Sequence, residues 1–199
     1  MENSMRNKLI VFEGIDGTGK TTLSINLAHH LSSLGIRAMR YEDVEDPKGG
    51  FNLIKPFIQE KVSIDASFFF YLASAIHKSG IIRNLLNEQW VICDRYIYST
   101  LAYHKAKGAD LTLLPSIDTF PIIFPDFYFL LRTREPVRMR RIKQRSANNA
   151  GDLEPKKRGG FLDRMEKHLA EYHPTIIDNS SMDVSQTTSR ILKAMNFNL

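Results

Sequence analysis

A strand that runs straight into a glycine-rich loop ending in Gly-Lys-Thr leaves a chain few folds to choose from. Here the apolar run Leu9-Ile10-Val11-Phe12 precedes Gly14-Ile15-Asp16-Gly17-Thr18-Gly19-Lys20-Thr21, which fits G-x-x-x-x-G-K-[ST] at every fixed position. The loop is a phosphate-binding P-loop. Its glycines let backbone N–H groups turn inward around a polyphosphate, Lys20 reaches toward the β- and γ-phosphates, and the Thr21 hydroxyl is suited to Mg²⁺. Chance produces the fixed positions in on the order of one chain in a hundred of this length. The context is more demanding, because Leu23, Leu27, Ala28 and Leu31 follow at helical spacing and complete the order strand, loop, helix. The expected ligand is a nucleoside triphosphate, with Gly14, Asp16, Gly17, Thr18, Gly19, Lys20, Thr21 and Thr22 as its contacts.

The 199 residues suit one domain, and 43% hydrophobic with 25% charged residues is a globular balance. No apolar stretch reaches the roughly 20 residues of a bilayer span. Met1 to Asn7 lacks the apolar centre of a signal peptide, so a cytoplasmic address and no membrane association are expected. The one cysteine, Cys93, sits in an apolar run and is expected in the core. A formal net charge of +5 invites a nucleic-acid partner, but much of the excess lies between Arg132 and Arg158, with no interleaved aromatic platform. A local phosphate clamp is the better account, and no nucleic-acid partner is expected.

Short strands are predicted at Leu9 to Phe12, Ile36 to Tyr41, Trp90 to Cys93, Phe127 to Leu131 and Thr175 to Ile177, with helical patterns between them. Such alternation implies an α/β fold with a five-stranded parallel sheet flanked by helices, whose strand ends gather ligands on one edge. The longest helix is predicted from about Ser63 to Glu88, with Gly80 weakening it. A shorter one from Phe51 to Lys61 is bent or interrupted by Pro56. The polar stretch from Ser146 to Gly160 joins two helices and is the candidate lid, since phosphoryl transfer needs water excluded; a solvated connection is the plain alternative.

Trp90-Val91-Ile92-Cys93 ends in Asp94-Arg95, which brings an acid and a base to the sheet edge beside the P-loop strand. Asp94 is positioned to orient Mg²⁺ together with Thr21, and Arg95 to hold an acceptor phosphate as a bidentate donor. The other histidines, His29, His30, His77, His168 and His173, fit no zinc-binding spacing.

The segment Phe12 to Thr22 together with Asp94-Arg95-Tyr96-Ile97-Tyr98-Ser99-Thr100-Leu101-Ala102-Tyr103 resembles thymidylate kinases, members of the nucleoside-monophosphate kinase superfamily. The likeness extends from Lys8 to about Tyr172 and takes in Leu162-Asp163-Arg164-Met165-Glu166 after the lid. It implies a P-loop NTPase fold that transfers the γ-phosphoryl of ATP, with Mg²⁺, to dTMP or a closely related monophosphate. By the same resemblance Asp16 lies near the acceptor sugar, Arg95 holds the acceptor phosphate and Tyr103 packs beside the deoxyribose. Ser99 and Thr100 approach the base, and Phe70 supplies the ring against it. Lys20, Asp94, Arg95 and Arg145 form the implied catalytic set. Lys156, Lys157 and Arg158 are further lid cations, because Gly17 stands where the other version of the family carries arginine. Relatives are commonly dimers, and Phe68 to Tyr71 with Ile76 offers either a dimer patch or core.

Three positions depart from the family pattern. Ser74 stands four residues after Phe70, where an arginine usually bonds the thymine; the loop from Arg40 to Gly50 is acidic; and His104 replaces the usual glutamine after Tyr103. A different nucleotide acceptor, a small phosphorylated metabolite, or a nucleotide-binding regulatory protein without efficient turnover are therefore the alternatives to a dTMP kinase.

Overall fold

The computed structural model describes residues 6–43, 50–112, 114–148 and 160–197. Five strands form one parallel sheet: β1 (Leu9–Glu13), β2 (Ala38–Arg40), β3 (Trp90–Asp94), β4 (Phe127–Arg132) and β5 (Thr175–Asp178). Their order across the sheet is β2-β3-β1-β4-β5. The helices are α1 (Lys20–Ser33), α2 (Gly50–Lys61), α3 (Ile64–Leu85), α4 (Ile97–Ala106), α5 (Glu135–Asn148), α6 (Phe161–Ala170) and α7 (Val184–Ala194). β1 is central, pairing β3 on one side and β4 on the other. After β1 the chain goes to the edge strand β2, returns to insert β3 beside β1, and then crosses to β4 and β5 on the other side. β1 and β3 therefore lead into helices on opposite faces of the sheet, α1 and α4, which opens a crevice at their carboxyl ends. The P-loop and the Asp94-Arg95 turn leave the sheet there side by side.

β1 shows why the sheet is buried on both faces. Leu9 to Glu13 are all buried, and successive side chains point to opposite sides. Ile10 and Phe12 pack with Leu23, Leu27 and Leu31 of α1 and Ile191 and Leu192 of α7. Leu9 and Val11 pack instead with Phe68 and Leu72 of α3 and Ile97 of α4. A third cluster joins Ala102 and Ala106 of α4 to Phe161, Met165 and Leu169 of α6. Cys93 is fully buried in the second cluster, and burial pushes its thiol up to about 12, as suits a packing residue.

All five predicted strands are present, with shifted limits. β2 is three residues, because Tyr41 to Asp43 turn into a 3₁₀ segment. α1 starts at Lys20, two residues earlier than its apolar spacing suggests, with Gly19 in left-handed conformation as its N-cap. Ser63 caps α3 by accepting the Ala66 N–H at 3.2 Å. α3 passes through Gly80 unbroken, and a Cβ there would meet nothing within 4 Å. α2 likewise continues through Pro56, whose ring removes one internal hydrogen bond without ending the helix. The candidate lid, apart from Gly160 and the last turn of α5, lies outside the described residues, as do Lys156, Lys157 and Arg158.

The Phe12 and Phe129 rings stack at 5.7 Å across the β1–β4 pair, with both residues essentially buried. Phe129→Ala is expected to cost about 3–5 kcal/mol through lost burial and an unfilled cavity. Chemical denaturation followed by circular dichroism measures it, and a loss below about 1 kcal/mol would mean that this site is not close-packed.

Candidate active site

The P-loop begins where β1 ends, and two of its glycines are fixed by geometry. Gly14 has φ +144°, and a Cβ there would lie 2.7 Å from the Leu131 carbonyl oxygen. Gly17 has φ +85°, and its Cβ would meet Arg138 Cγ at 2.6 Å. The Thr18 hydroxyl donates to the Ile15 carbonyl at 2.9 Å, and Lys20 Nζ donates to the same oxygen at 3.1 Å. Lys20 is therefore folded over its own loop and is only 6% exposed. Burial, followed by the nearby Arg95 charge, lowers its ammonium to about 8.

A cavity of about 740 Å³ opens over the loop and is lined by Asp16, Gly17, Gly19, Lys20, Thr21 and Thr22, with Asp94 and Arg95 opposite. Gly14 and Thr18 do not line it. They shape the loop instead, Gly14 through its close approach to β4 and Thr18 through its buried hydroxyl. Thr21 Oγ1 donates to Asp94 Oδ2 at 2.5 Å, so one hydroxyl and one carboxylate oxygen sit side by side at the mouth of the loop. Hard oxygen donors so placed fit a Mg²⁺ that arrives with a nucleotide and keeps most of its water and phosphate ligands. Among the described residues no group of three or more His, Cys, Asp or Glu side chains could hold a metal.

A second cavity of about 500 Å³ lies beyond the Asp94-Arg95 turn. It brings together Asp16, Arg95, Ser99, Thr100 and Tyr103 from the predicted acceptor set. Asp16 and Arg95 line both cavities. Their side chains pair at 2.7 Å, and Arg95 Nη1 also donates to Ser99 Oγ at 3.2 Å. One guanidinium thus stands on the wall between a phosphate-binding loop and a pocket lined with aromatic groups.

Two predicted acceptor residues are not in that wall. The Phe70 ring packs against Phe51 at 5.5 Å and meets the edge of Tyr71 at 5.3 Å. Tyr71, one position further along α3, lines the cavity, whereas Phe70 and Ser74 do not. A single step along a helix turns a side chain by about 100°, and within Phe68-Phe69-Phe70-Tyr71 the sequence offers four consecutive aromatics with no mark of which one faces the site. Counting four residues from Tyr71 leads to Ala75, which is buried in the core. Neither position 74 nor position 75 carries a guanidinium, and among the described residues Arg95 is the arginine that lines the pocket. His104 does line it. Its Nδ1 lies 2.7 Å from the Thr100 carbonyl oxygen and its Nε2 lies 3.2 Å from Ser67 Oγ, while burial lowers its pKa and favours a neutral ring.

Arg145, near the end of α5, lines the cavity over the P-loop. Sequence reasoning missed its neighbours. Arg141 lines the same cavity and spans to the end of β5, where Nη2 donates to the Asn179 carbonyl at 3.3 Å. Asn179 Nδ2 donates to the Thr18 carbonyl at 2.9 Å and so holds the P-loop from the far side. Arg138 donates to the Asp16 carbonyl at 3.2 Å. A basic helix gives no sign of which arginines turn inward.

Glu13 was also missed, although it immediately precedes the motif. Its Oε1 accepts the backbone N–H of Tyr96 at 2.9 Å and of Ser99 at 3.0 Å, and its Oε2 accepts the Ser99 hydroxyl. This carboxylate from β1 therefore caps the start of α4. Complete burial raises its carboxyl pKa above the ordinary 4.5, against the Arg95 charge and the hydrogen bonds that lower it. The folded state then binds a proton more tightly than the unfolded chain. The stability linked to this group is fully present below its ordinary pKa and is lost as pH rises through the raised value. Glu13→Gln keeps an acceptor for the two N–H groups and removes the titration. The stability of the native protein relative to this variant is expected to decline as pH rises above the ordinary carboxyl value of 4.5, and an unchanged difference in denaturation at each pH would show that Glu13 titrates normally.

Comparison with known proteins bears directly on this site. A family model described as thymidylate kinase matches residues 12–191. A probable thymidylate kinase from Methanocaldococcus jannaschii is 30% identical over 188 residues, covering 94% of each chain. One from Pyrococcus horikoshii is 37% identical over 183 residues, covering 85% of this chain and 86% of that one. The solved structure of a thymidylate kinase from Candida albicans shares the fold, with a TM-score of 0.69 at 22% identity over 96% of this chain and 92% of that one. Since the family model spans most of the residues and the archaeal relatives align over nearly their whole length, the chain belongs to the thymidylate kinase family and is an ATP-dependent phosphotransferase.

Proposed function

We propose that this chain is a working thymidylate kinase that transfers the γ-phosphoryl group of ATP to dTMP in one in-line step. The observation that carries this reading is the shared wall: Asp16 and Arg95 line both the cavity over the P-loop and the pocket formed with Tyr71, Tyr103 and His104. Donor and acceptor phosphates bound on the two sides would meet there. Catalysis then consists of positioning and charge neutralisation, with no covalent intermediate. Lys20 holds the donor phosphates, Arg95 exchanges its Asp16 partner for the acceptor phosphate, and Arg145 adds charge from the lid side. Tyr103 packs beside the sugar, while Tyr71 and His104 flank the base, with Ser99 and Thr100 on the remaining wall. A Mg²⁺ held at Thr21 and Asp94 would neutralise charge on the transferring group.

The likeness to the family and the buried Cys93 thiol support a cytoplasmic address. Among the described residues no helix is long and apolar enough to cross a membrane. A homodimer is supported by apolar side chains on neighbouring helices, Leu53, Ile54 and Phe57 of α2 and Phe69 of α3, all at least 50% exposed. Phe68 is buried and belongs to the core.

Acceptor-dependent ADP release from ATP tests the reading, with dTMP active and Lys20→Ala reducing turnover by about a hundredfold or more in a folded protein. Turnover near normal in that variant would remove the P-loop from the mechanism. Arg95→Ala is expected to raise the KM for dTMP well above any change in the KM for ATP.

Lys20 generates a pH prediction. Its ammonium is depressed to about 8 in the free protein, and a polyphosphate favours the charged form. ATP binding near pH 8 is therefore expected to take up a fraction of a proton, read by calorimetry in buffers of different ionisation enthalpy. Proton release would contradict it.

The base pocket generates another prediction. With Ser74 and Ala75 where an arginine of α3 would stand, discrimination among pyrimidine monophosphates rests on shape and a methyl group, which supply up to about two hundredfold. Relative kcat/KM values for dTMP, dUMP and dCMP are expected to stay within that range, and a ratio above about ten-thousandfold would reveal a dedicated hydrogen-bonding group that reads the base.

A further inference from the structure

Arg95 has an unusual backbone for an arginine. Its φ is +70°, in the left-handed region that disfavours side chains with a Cβ. The chain needs this turn because β3 ends at Asp94 and α4 begins at Ile97. Something must hold the turn, since a strained backbone persists only where its surroundings over-determine it. On one side the Arg95 N–H donates to the Phe12 carbonyl at 2.9 Å, which extends the β1–β3 pairing by one residue. On the other side the Arg95 carbonyl accepts from Lys78 Nζ at 3.2 Å.

Lys78 reaches this carbonyl from α3 through an enclosed position. Its Nζ lies 4.1 Å from the centre of the Tyr41 ring, 6.0 Å from that of Tyr96 and 3.9 Å from Glu42 Oε1. Only 17% of the side chain is exposed. Two aromatic faces and one carboxylate thus keep an ammonium where it meets the back of the arginine that lines both cavities. Lys78 lines neither cavity and cannot touch a ligand there without leaving these partners.

We infer that Lys78 is a positioning residue for the acceptor phosphate: its hydrogen bond to the Arg95 carbonyl holds the left-handed turn that aims the Arg95 guanidinium at the junction of the two cavities. This rests on the assignment of Arg95 to the acceptor phosphate. Glu42 and Tyr41, on the segment after β2, fix Lys78 in turn, so that segment influences the acceptor without touching it.

The test is steady-state kinetics of Lys78→Met, which keeps the length and apolar body of the side chain and removes its donors. The KM for dTMP is expected to rise about tenfold, the ATP KM to stay within about twofold, and Lys78→Arg, which keeps a charged donor, to recover part of the loss. In an Arg95→Ala background, Lys78→Met should add little further, because the guanidinium it aims is gone. A merely structural role predicts otherwise: a lower melting temperature with both KM values unchanged, or both raised together. Either result overturns the inference, as does full additivity with Arg95→Ala. Should the methionine variant not fold, the arginine variant alone decides, through a selective rise in the dTMP KM or its absence. Absence of turnover in the unmodified protein would overturn the proposed function and this inference with it, whereas normal turnover with an unaltered Lys78→Met would overturn this inference alone.

Discussion

Much of the site hangs from the buried carboxylate of Glu13. A charge removed from water is costly unless its hydrogen-bonding capacity is met, and Glu13 meets it with two backbone N–H groups and a hydroxyl from the start of α4. The carboxyl pKa is nonetheless raised, so desolvation outweighs those bonds and the Arg95 charge together. The strand that leads into the P-loop and the helix that carries Ser99, Thr100 and Tyr103 are thereby bound at one point. Both cavities inherit their relative placement from that point.

The Asp16–Arg95 pair then divides the two cavities. At 2.7 Å it is a close pair, but the Asp16 side chain is 63% exposed, so the pair is wet and its net strength modest. That weakness suits its place. A guanidinium locked in a dry pair would resist an incoming phosphate, whereas one held by an exposed carboxylate and a serine hydroxyl can trade partners at little cost. The rigid parts lie behind it, in the backbone turn at Arg95 and the sheet itself.

The sheet was legible in the sequence because β-strands buried on both faces leave near-continuous apolar runs, as in Leu9 to Phe12 and Trp90 to Cys93. The P-loop was legible because a phosphate cradle tolerates few residues at its fixed positions. The aromatic wall was not. Phe70 and Tyr71 are adjacent and chemically alike, and only the phase of α3 against α4 decides which faces the pocket. Glu13 escaped because its partners, Tyr96 and Ser99, lie more than 80 residues away. Arg138 and Arg141 escaped because inward and outward arginines look the same on a helix this basic.

Gly17 and Arg138 share one volume. The arginine stem lies where a side chain at position 17 would begin, and its guanidinium secures the carbonyl of Asp16. The Arg138 carbonyl oxygen and Ile142 Cγ1, each 2.9 Å from that point, close the same space from α5. A relative that carries arginine at the position of Gly17 needs that space cleared on the α5 side, by smaller residues there and by a shift of the helix backbone. The two positions should vary together across relatives, as complements in size, so that the pattern of basic residues on α5 is read correctly only alongside the loop it covers.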